Sequence, residues 1–318
     1  MNCKHCGAVL PAGAERCEYC GAATPHAADN LEETLRQKKR AGLGSMKRVP
    51  GGMLFFLYVF SLGVLMGLPG TRRYADHALK SIGTYFKDPV NGGLWISIKP
   101  EPDEDGHGIP WDEEGRSKSQ YHNAYVILGL AAATVANRQR AYELLNEALH
   151  DQERHWIEPN GLVRDQYDEA FTQALPLRTL GTLLHTAEAY LAAAEATTDP
   201  VWIDRAEQMA AFANKIASEK SSRLPEYYDD DWKPLGEEPA GYVDGRRIYH
   251  GYVTGHAMQW SRIMLQLRAA LRSLGRPQPD YLMECAVDLF ERARVDGWRR
   301  HNGEPGFATS VDLEGSPV

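Results

Sequence analysis

The segment Gly255-His-Ala-Met-Gln-Trp-Ser-Arg-Ile-Met-Leu-Gln266 changes from a loop into an apolar helix pattern within a few residues. It places His256 and Trp260 at the start of that helix, directly after the loop Tyr249-His-Gly-Tyr252. A titratable imidazole beside aromatic rings, where a loop becomes a helix, is compatible with a sugar site. The rest of the chain repeats this layout, and the repeat predicts the fold.

Short segments rich in Gly, Pro and aromatic residues recur at 88–95, 156–161, 224–232 and 303–307. Between them the apolar pattern predicts helix pairs at 53–68 with 72–86, 119–136 with 138–152, 169–197 with 201–219, and 253–274 with 279–295. Helix pairs that each bury one face against their neighbours favour an all-α toroid over a bundle. The short segments should form hairpins that gather at one end of the toroid.

Composition places the chain among globular proteins, with 318 residues, of which 43% are hydrophobic and 25% charged. Its formal net charge of −8 argues against a general nucleic-acid binder, whose surface should be basic. The first thirty residues lack the apolar core of a signal peptide. We therefore expect a cytoplasmic protein.

Four cysteines near the N-terminus form two matched C-x-x-C pairs, Cys3 with Cys6 and Cys17 with Cys20. Four thiolates at about 2.3 Å from one ion complete a tetrahedral zinc shell, which leaves no open position for chemistry. A domain this small cannot fold on its core alone, so Zn²⁺ would supply its stability. The sequence predicts a structural zinc ribbon over residues 1–22, a linker over 23–50, and a helical domain over 51–318.

The stretch Met53–Leu68 carries no charge and is nearly all apolar. Its length is at the low end of the ~17–25 residues that a membrane span needs. Two readings stay open, of which the first is favoured: a fully buried inner helix of the toroid, or a membrane anchor with the ribbon on the cytoplasmic side.

From Phe60 to Val318 the chain resembles the N-acylglucosamine 2-epimerase family, especially its mannose isomerase-like branch. The resemblance depends on six short sequence motifs that occur in the same order as in the family. They are 60–70 with 75–77, Tyr121-His-Asn-Ala-Tyr125, His185-Thr-Ala-Glu188 with the apolar run to Thr197, Asp231-Trp-Lys-Pro234, Gly255-His256 with Trp260, and Gly306-Phe307 with Val311-Asp312 and Gly315-Ser-Pro317.

This resemblance implies an (α/α)6 barrel that isomerises or 2-epimerises a mannose-like monosaccharide through a cis-enediol, with no catalytic cofactor. It implies that His256 is a catalytic acid or base, since the pKa of histidine lies near neutral pH. It also places a substrate-binding set in the pocket, consisting of Tyr121, His185, Trp232 and Gln259.

Several positions depart from the family pattern. An arginine that would polarise the sugar carbonyl falls at Phe55, and a pocket asparagine falls at Gly181. Gln259 replaces a glutamate, which removes the carboxylate expected to orient and charge His256, and a pocket tryptophan falls at Leu313. The chain ends at Val318, so we expect about four of the six helix pairs, without the pair that carries a second catalytic histidine.

Altered positions of this kind predict weak or absent activity, because losing one member of a catalytic pair typically costs ~10²–10⁴ in rate. An incomplete toroid should also expose apolar flanks, which a homo-oligomer, another partner or a membrane could cover. Two alternatives stay open: an active isomerase completed by a second subunit, and a non-catalytic sugar-sensing or scaffold module presented by the ribbon.

Overall fold

The computed structural model describes residues 2, 8–9, 14, 17, 20, 49–50, 55–235, 242–243, 246–247, 251–301 and 304–316. The chain divides into two compact units, Met1–Val49 and Pro50–Val318. In the first unit Asn2 and Val9 form an antiparallel bridge. Cys17 is buried and Cys20 is exposed. Cys3 and Cys6, like most of residues 23–50, lie outside the described residues, so the zinc ribbon and the linker stay predictions.

The second unit is mainly helical. Its helices are α1 (Phe55–Leu65), α2 (Thr71–Thr84), α3 (Glu113–Arg116), α4 (Gln120–Val135), α5 (Ala141–Asp151, continued by a π-helical turn at Gln152–Trp156), α6 (Leu180–Thr197), α7 (Val201–Glu219), α8 (Thr254–Ser273) and α9 (Tyr281–Gly297). The described strands are short: β1 (Val49–Pro50), β2 (Ser97–Ile98), β3 (Lys118–Ser119), β4 (Gln166–Tyr167), β5 (Arg178–Thr179), β6 (Tyr227–Tyr228), β7 (Tyr242–Val243), β8 (Arg246–Arg247), β9 (Tyr252–Val253), β10 (Trp298–His301), β11 (Glu304–Phe307) and β12 (Ser310–Val311).

The long helices form four pairs within the described residues, arranged as part of an (α/α)6 toroid. Helices α1, α4, α6 and α8 contact one another in that order as an inner layer. Each of α2, α5, α7 and α9 packs outside the inner helix that precedes it in the chain. The C-terminal ends of the four inner helices all line one cavity of about 750 Å³. These helices therefore run in the same direction. The predicted helix-pair repeat is confirmed.

Helix α6 forms the centre of the core and is buried along most of its length. Its hydrophobicity is not confined to one stripe, because α4, α8 and α7 pack on different sides of it. Ala187, Ala189 and Ala193 are fully buried on this helix. Small side chains at these positions let the neighbouring helix backbones approach closely.

Three short antiparallel pairings join successive repeats at the N-terminal ends of the inner helices. Strand β3 pairs with β4, β5 with β6, and β9 with β12. In each pairing the first strand leads directly into an inner helix, and its partner comes from the connection that follows the next outer helix. Gly251 immediately precedes β9 at φ 106°, where any side chain would overlap the carbonyl oxygen of Val311. The hairpins therefore gather at one end, as the repeat predicts.

One helix boundary was predicted wrongly. The apolar pattern predicts a helix over 169–197, but α6 begins at Leu180. The preceding residues form a turn in which Asp168 accepts hydrogen bonds from the backbone amides of Thr172 and Gln173. Phe171 adopts a left-handed φ of 57° in that turn. These local side-chain bonds compete with helix formation over 169–179. Helix α6 therefore begins only after strand β5.

Helix α1 is less buried than the sequence predicts. Leu57 and Ser61 are fully buried, whereas Phe56 and Val59 are 47% and 44% exposed. Among the described helices, α1 packs mainly against α2 and α4, so its other side is covered less. Among the helices that the structure describes, none is long and apolar enough to cross a membrane.

Two buried ion pairs fix equivalent points of successive repeats. Lys118 Nζ lies 2.7 Å from Asp88 Oδ2, and both side chains are 1% exposed. Arg178 Nη2 lies 3.0 Å from Glu158 Oε1 one repeat later. Burial lowers the pKa of Lys118 although Asp88 opposes this effect. In both pairs, the cationic residue is the first residue of the strand that leads into an inner helix.

Replacing Lys118 by Met should leave the Asp88 carboxylate buried without a cation, at a cost of about 3–5 kcal/mol in the free energy of unfolding. The double variant Asp88→Asn/Lys118→Met should recover part of that loss. Lys87→Met is the matched control, because the Lys87–Glu147 pair is about half exposed and such pairs contribute at most about 1 kcal/mol. Urea unfolding followed by circular dichroism measures all three. Equal effects for Lys118 and Lys87 would contradict a structural role for the buried pair.

Candidate active site

The starts of α4, α6 and α8 lie together at the hairpin end of the toroid. The Ser119 and Thr179 hydroxyls accept hydrogen bonds from amides in the first turns of α4 and α6. Asp165, buried between these two helices, accepts from the Thr179 amide at 2.9 Å and from the Thr179 and Thr182 hydroxyls at 2.7 Å each. Side chains of the first turns are thereby held at fixed positions.

The three inner helices place equivalent residues at the same depth when each is counted from its first residue. The third residues are His122, Thr182 and His256; the sixth are Tyr125, His185 and Gln259; the ninth are Leu128, Glu188 and Arg262. Two contacts between helices join residues of one level: Tyr125 meets His185, and Glu188 meets Arg262. The candidate site is thus a set of successive layers at the helix starts.

His256 is held by a carboxylate that comes from a different repeat. Its Nδ1 lies 2.7 Å from Oε2 of Glu226, in the segment that enters β6. The other oxygen of Glu226 accepts a hydrogen bond from the Gly181 amide at 3.1 Å. The expectation that Gln259 leaves His256 without an orienting carboxylate is therefore wrong, because the carboxylate reaches the ring from the hairpin and not from the next turn of α8.

The electrostatics of His256 follow from this contact. Burial acts to lower the pKa of His256, but the hydrogen bond and the charge of Glu226 outweigh it, so the pKa is raised above its ordinary value. The His256 side chain is 25% exposed. Since Nδ1 faces Glu226, Nε2 is the ring nitrogen available to a ligand.

His185 forms the opposite wall. Its ring centroid lies 6.3 Å from that of His256, and the two rings are nearly perpendicular. His185 Nε2 lies 3.1 Å from the Tyr125 hydroxyl, which in turn lies 3.2 Å from the hydroxyl of Tyr121. The ring of Phe55 packs edge-on against Tyr125. Three of the predicted site residues, His256, His185 and Tyr121, are therefore brought together.

An ion pair lies one layer deeper. Arg262 Nη2 is 2.6 Å from Glu188 Oε1, and His185 Nδ1 is 3.6 Å from the other oxygen, which is an ion-pair distance and not a hydrogen bond. Burial raises the pKa of Glu188, but His185 and Arg262 outweigh it and the net pKa is lowered. The positive charge of Arg262 is thus already matched by Glu188.

The other two predicted site residues lie apart from these contacts. The Trp232 indole donates to Glu158 Oε2 at 2.8 Å and packs on Phe212 and Tyr228, which ties it to the outer layer. Gln259 is half-buried one turn beyond His256, and its side chain makes no hydrogen bond to another described residue. Leu313 packs against the apolar cluster beside Ala257.

The described residues offer no group of three or more His, Cys, Asp or Glu side chains that could hold a metal ion, and Cys3 and Cys6 are not among these residues. What the site offers is a proton acceptor, a second imidazole, two phenol hydroxyls and the starts of three helices. Helix N-termini attract negative charge, so developing oxyanions are stabilised here.

Glu226, Tyr125, Glu188 and Arg262 were missed by sequence reasoning. Tyr125, Glu188 and Arg262 could have been found by aligning the inner helices from their first residues, since they share levels with His185 and with each other. Glu226 could have been found from the repeat, because Asp165 and Glu226 each stand one residue before a hairpin strand.

Comparison with known proteins gives the same architecture. A family model described as N-acylglucosamine 2-epimerase (GlcNAc 2-epimerase) matches residues 53–318. A D-mannose isomerase of Thermobifida fusca is 33% identical over 267 residues, which cover 82% of this chain and 61% of that protein. A D-mannose isomerase of Pseudomonas cannabina pv. alisalensis is 31% identical with the same coverage. The chain spans about three fifths of the length of these relatives.

Two solved structures share the fold. A D-mannose isomerase crystal structure superposes with a TM-score of 0.69 at 19% identity, covering 86% of this chain and 65% of that one. A cellobiose 2-epimerase from Spirochaeta thermophila DSM 6192 gives a TM-score of 0.57 at 19% identity, covering 86% and 80%. At these identities the likeness establishes the fold.

Asp165, which joins the starts of α4 and α6, should give stability a distinct pH dependence. Burial raises its pKa to about 6, above the ~3.9 of an exposed aspartate. Folding therefore favours the neutral carboxyl, and its contribution to the free energy of unfolding should be complete below about pH 4 and lost as the pH rises through about 6. Asp165→Asn should abolish this trend.

Urea unfolding between about pH 4 and about pH 7 measures the difference between wild type and Asp165→Asn. Asp168→Asn serves as a control that should leave this trend unchanged. Slight burial raises the pKa of Asp168, but hydrogen bonds from Thr172 and Gln173 lower it overall, so its contribution is lost only as the pH falls below about 4. A trend that persists in Asp165→Asn, or that disappears in Asp168→Asn, would refute the assignment for Asp165.

Proposed function

Since the chain belongs to the N-acylglucosamine 2-epimerase family, we propose that it isomerises or 2-epimerises a mannose-type monosaccharide through a cis-enediol. The observation that carries the proposal is the pair of imidazoles from neighbouring inner helices, His185 and His256, whose centroids are 6.3 Å apart at the mouth of the toroid. Relatives named D-mannose isomerase cover most of this chain and support this substrate class.

In the proposed reaction the open-chain aldose presents its C2–H bond to Nε2 of His256. The imidazole takes the C2 proton while the electron pair moves toward the carbonyl oxygen, which receives a proton and gives the enediol. Returning a proton to C1, with loss of the proton on O2, gives the ketose; returning it to the other face of C2, with loss of the proton on O1, gives the epimer. These are proton transfers, so the proposal invokes no catalytic metal or cofactor.

The opposite wall would hold the sugar. His185 and the Tyr125 and Tyr121 hydroxyls form a chain of groups that can both donate and accept hydrogen bonds. Such a chain suits sugar hydroxyls and can pass a proton between O1 and O2. We assign substrate binding to His185 and Gln259, which share a layer, and to Tyr121, whose hydroxyl continues the chain from Tyr125. For Trp232 we propose contact through the ring edge, because its indole N–H already bonds to Glu158.

We expect the rate to be low. Phe55 lies beside Tyr125, so an uncharged ring stands next to the polar wall at this point. The positive charge of Arg262, one layer deeper, is paired with Glu188 at 2.6 Å. This observation also favours the second candidate function, a sugar-binding module that no longer turns its ligand over.

Proton NMR in D₂O should decide between these functions. The full chain is incubated with D-mannose, and D-fructose, D-glucose and N-acetylmannosamine are tested alongside. We expect solvent deuterium at C1 or C2 of the sugar, and a decrease of ~10²–10⁴ in His256→Ala, because the base is lost. His77→Ala is the matched control, since His77 is exposed on α2.

Exchange that persists in His256→Ala and disappears in His77→Ala would overturn the assignment of the base. No exchange above the blank, in protein whose circular dichroism shows it folded, would overturn the enzyme proposal. Saturation-transfer NMR on the same sample would then show whether the sugar still binds.

We further propose that Cys3, Cys6, Cys17 and Cys20 hold one structural Zn²⁺, as their spacing suggests. We expect about one zinc ion per chain by elemental analysis, lost in Cys3→Ser/Cys6→Ser and kept in Cys285→Ala. Protein purified without chelator that contains no zinc would contradict the ribbon.

A further inference from the structure

Glu226 makes two contacts that belong to different helices. Its Oε2 lies 2.7 Å from Nδ1 of His256 on α8, and its Oε1 accepts from the amide of Gly181 on α6 at 3.1 Å. Its own backbone carbonyl accepts from the Leu180 amide at 2.9 Å. The residue is 9% exposed. Both carboxylate oxygens are therefore engaged, and the side chain has little freedom to move.

We infer that Glu226 is the positioning residue that holds His256 with its proton on Nδ1 and Nε2 free, and that Gly181 is the residue that admits this carboxylate. The catalytic use of this arrangement rests on the proposed function. The tautomer and its dependence on Glu226 do not, because they are properties of the protein without a sugar.

Glycine is needed at position 181 because a side chain there would not fit, and not because of its backbone conformation. A Cβ at this position would lie 2.9 Å from Cε1 of His256 and 3.0 Å from Oε1 of Glu226. Contacts this short force one of the two groups to move. Gly255 occupies the same second position of α8, and there a Cβ would meet nothing within 4 Å. The absence of a side chain matters at one of these two equivalent positions only.

The charges around His256 favour a carboxylate in this role. Glu226 faces its Nδ1 from the β6 hairpin, and His185 faces the ring from α6. Glu188 and Arg262 lie one layer deeper and are paired with each other. A carboxylate accepts only, so it fixes the imidazole proton on Nδ1, and it stabilises the imidazolium that forms when Nε2 takes a proton.

An uncharged partner cannot supply both effects. In Glu226→Gln the amide could accept from Nδ1–H or donate to an unprotonated Nδ1, so the tautomer is no longer fixed. Burial of His256 would remain without the opposing charge, and its pKa should fall below that of the wild type. The acidic limb of the rate profile should then move to lower pH, because His256 acts as a base only when neutral. Its plateau should drop by ~10–100-fold, as for other histidines that lose an orienting partner.

The first experiment is a ¹⁵N–¹H NMR titration of the full chain without sugar, with His256 assigned from the signal missing in His256→Ala. We expect the Nδ1–H tautomer in the neutral ring and a pKa above the ordinary ~6.5. In Glu226→Gln we expect mixed tautomers and a lower pKa. Asp230→Asn, which removes one charge from an exposed side chain of the same hairpin, should leave both unchanged.

Gly181→Ala provides a second, independent test that leaves Glu226 in place. It should weaken the Glu226–His256 contact and shift the His256 signals in the same direction as Glu226→Gln, whereas Gly255→Ala should not. Circular dichroism confirms that each variant folds. An unchanged tautomer and an unchanged pKa in folded Glu226→Gln would overturn the inference, even if the chain isomerises sugars.

The two proposals fail separately. A wild-type titration with the expected tautomer and pKa, both lost in Glu226→Gln, supports the positioning role even when no deuterium enters the sugar. Deuterium exchange that survives Glu226→Gln with the same pH profile and the same KM as the wild type would refute the positioning role and leave the proposed reaction intact.

Discussion

Each of the inner helices α4, α6 and α8 takes its first backbone hydrogen bond from the connection that follows its own outer helix. The first N–H groups of an α-helix have no partner inside the helix and are costly to bury unpaired. Here the amide of Gln120 donates to the carbonyl of Asp165, that of Leu180 to Glu226, and that of Thr254 to Thr309. In all three cases the acceptor lies in the connection after the outer helix, so the helix starts and the paired hairpin strands gather at one end.

This dependence also explains where the polar chemistry lies. The residue that supplies the carbonyl stands at the edge of a helix start, so its side chain points among first-turn groups. Asp165 uses its carboxyl to bind Thr179 and Thr182 and remains structural. Glu226 is one methylene longer and reaches Gly181 and His256 instead. Asp165 and Glu226 thus occupy the same position of the repeat. The first stabilises the fold, and the second contacts the candidate site.

The sequence predicted what is periodic and missed what depends on contacts between repeats. Helix pairs and the hairpin end follow from apolar spacing, whereas the proximity of His185, His256 and Tyr121 was expected from the resemblance to the family. The role of Glu226 does not, because its partner is 30 residues away and is reached only through strand pairing. The start of α6 was misplaced for a related reason: the side-chain bonds of Asp168 override an apolar pattern that reads as helix.

The proposed reaction needs a base to remove a proton and groups to polarise the carbonyl, and the described residues supply the first better than the second. Proton removal has a positioned imidazole whose carboxylate partner raises its pKa, which is what a base near neutral pH requires. Among the described residues, the groups near the sugar carbonyl would be neutral hydroxyls, helix starts and His185, because Arg262 is bound to Glu188 and Phe55 adds no charge. From these residues, charge that develops on the sugar oxygen would be stabilised mainly by dipoles. For this reason we expect polarisation of the carbonyl, and not the strength of the base, to limit the rate.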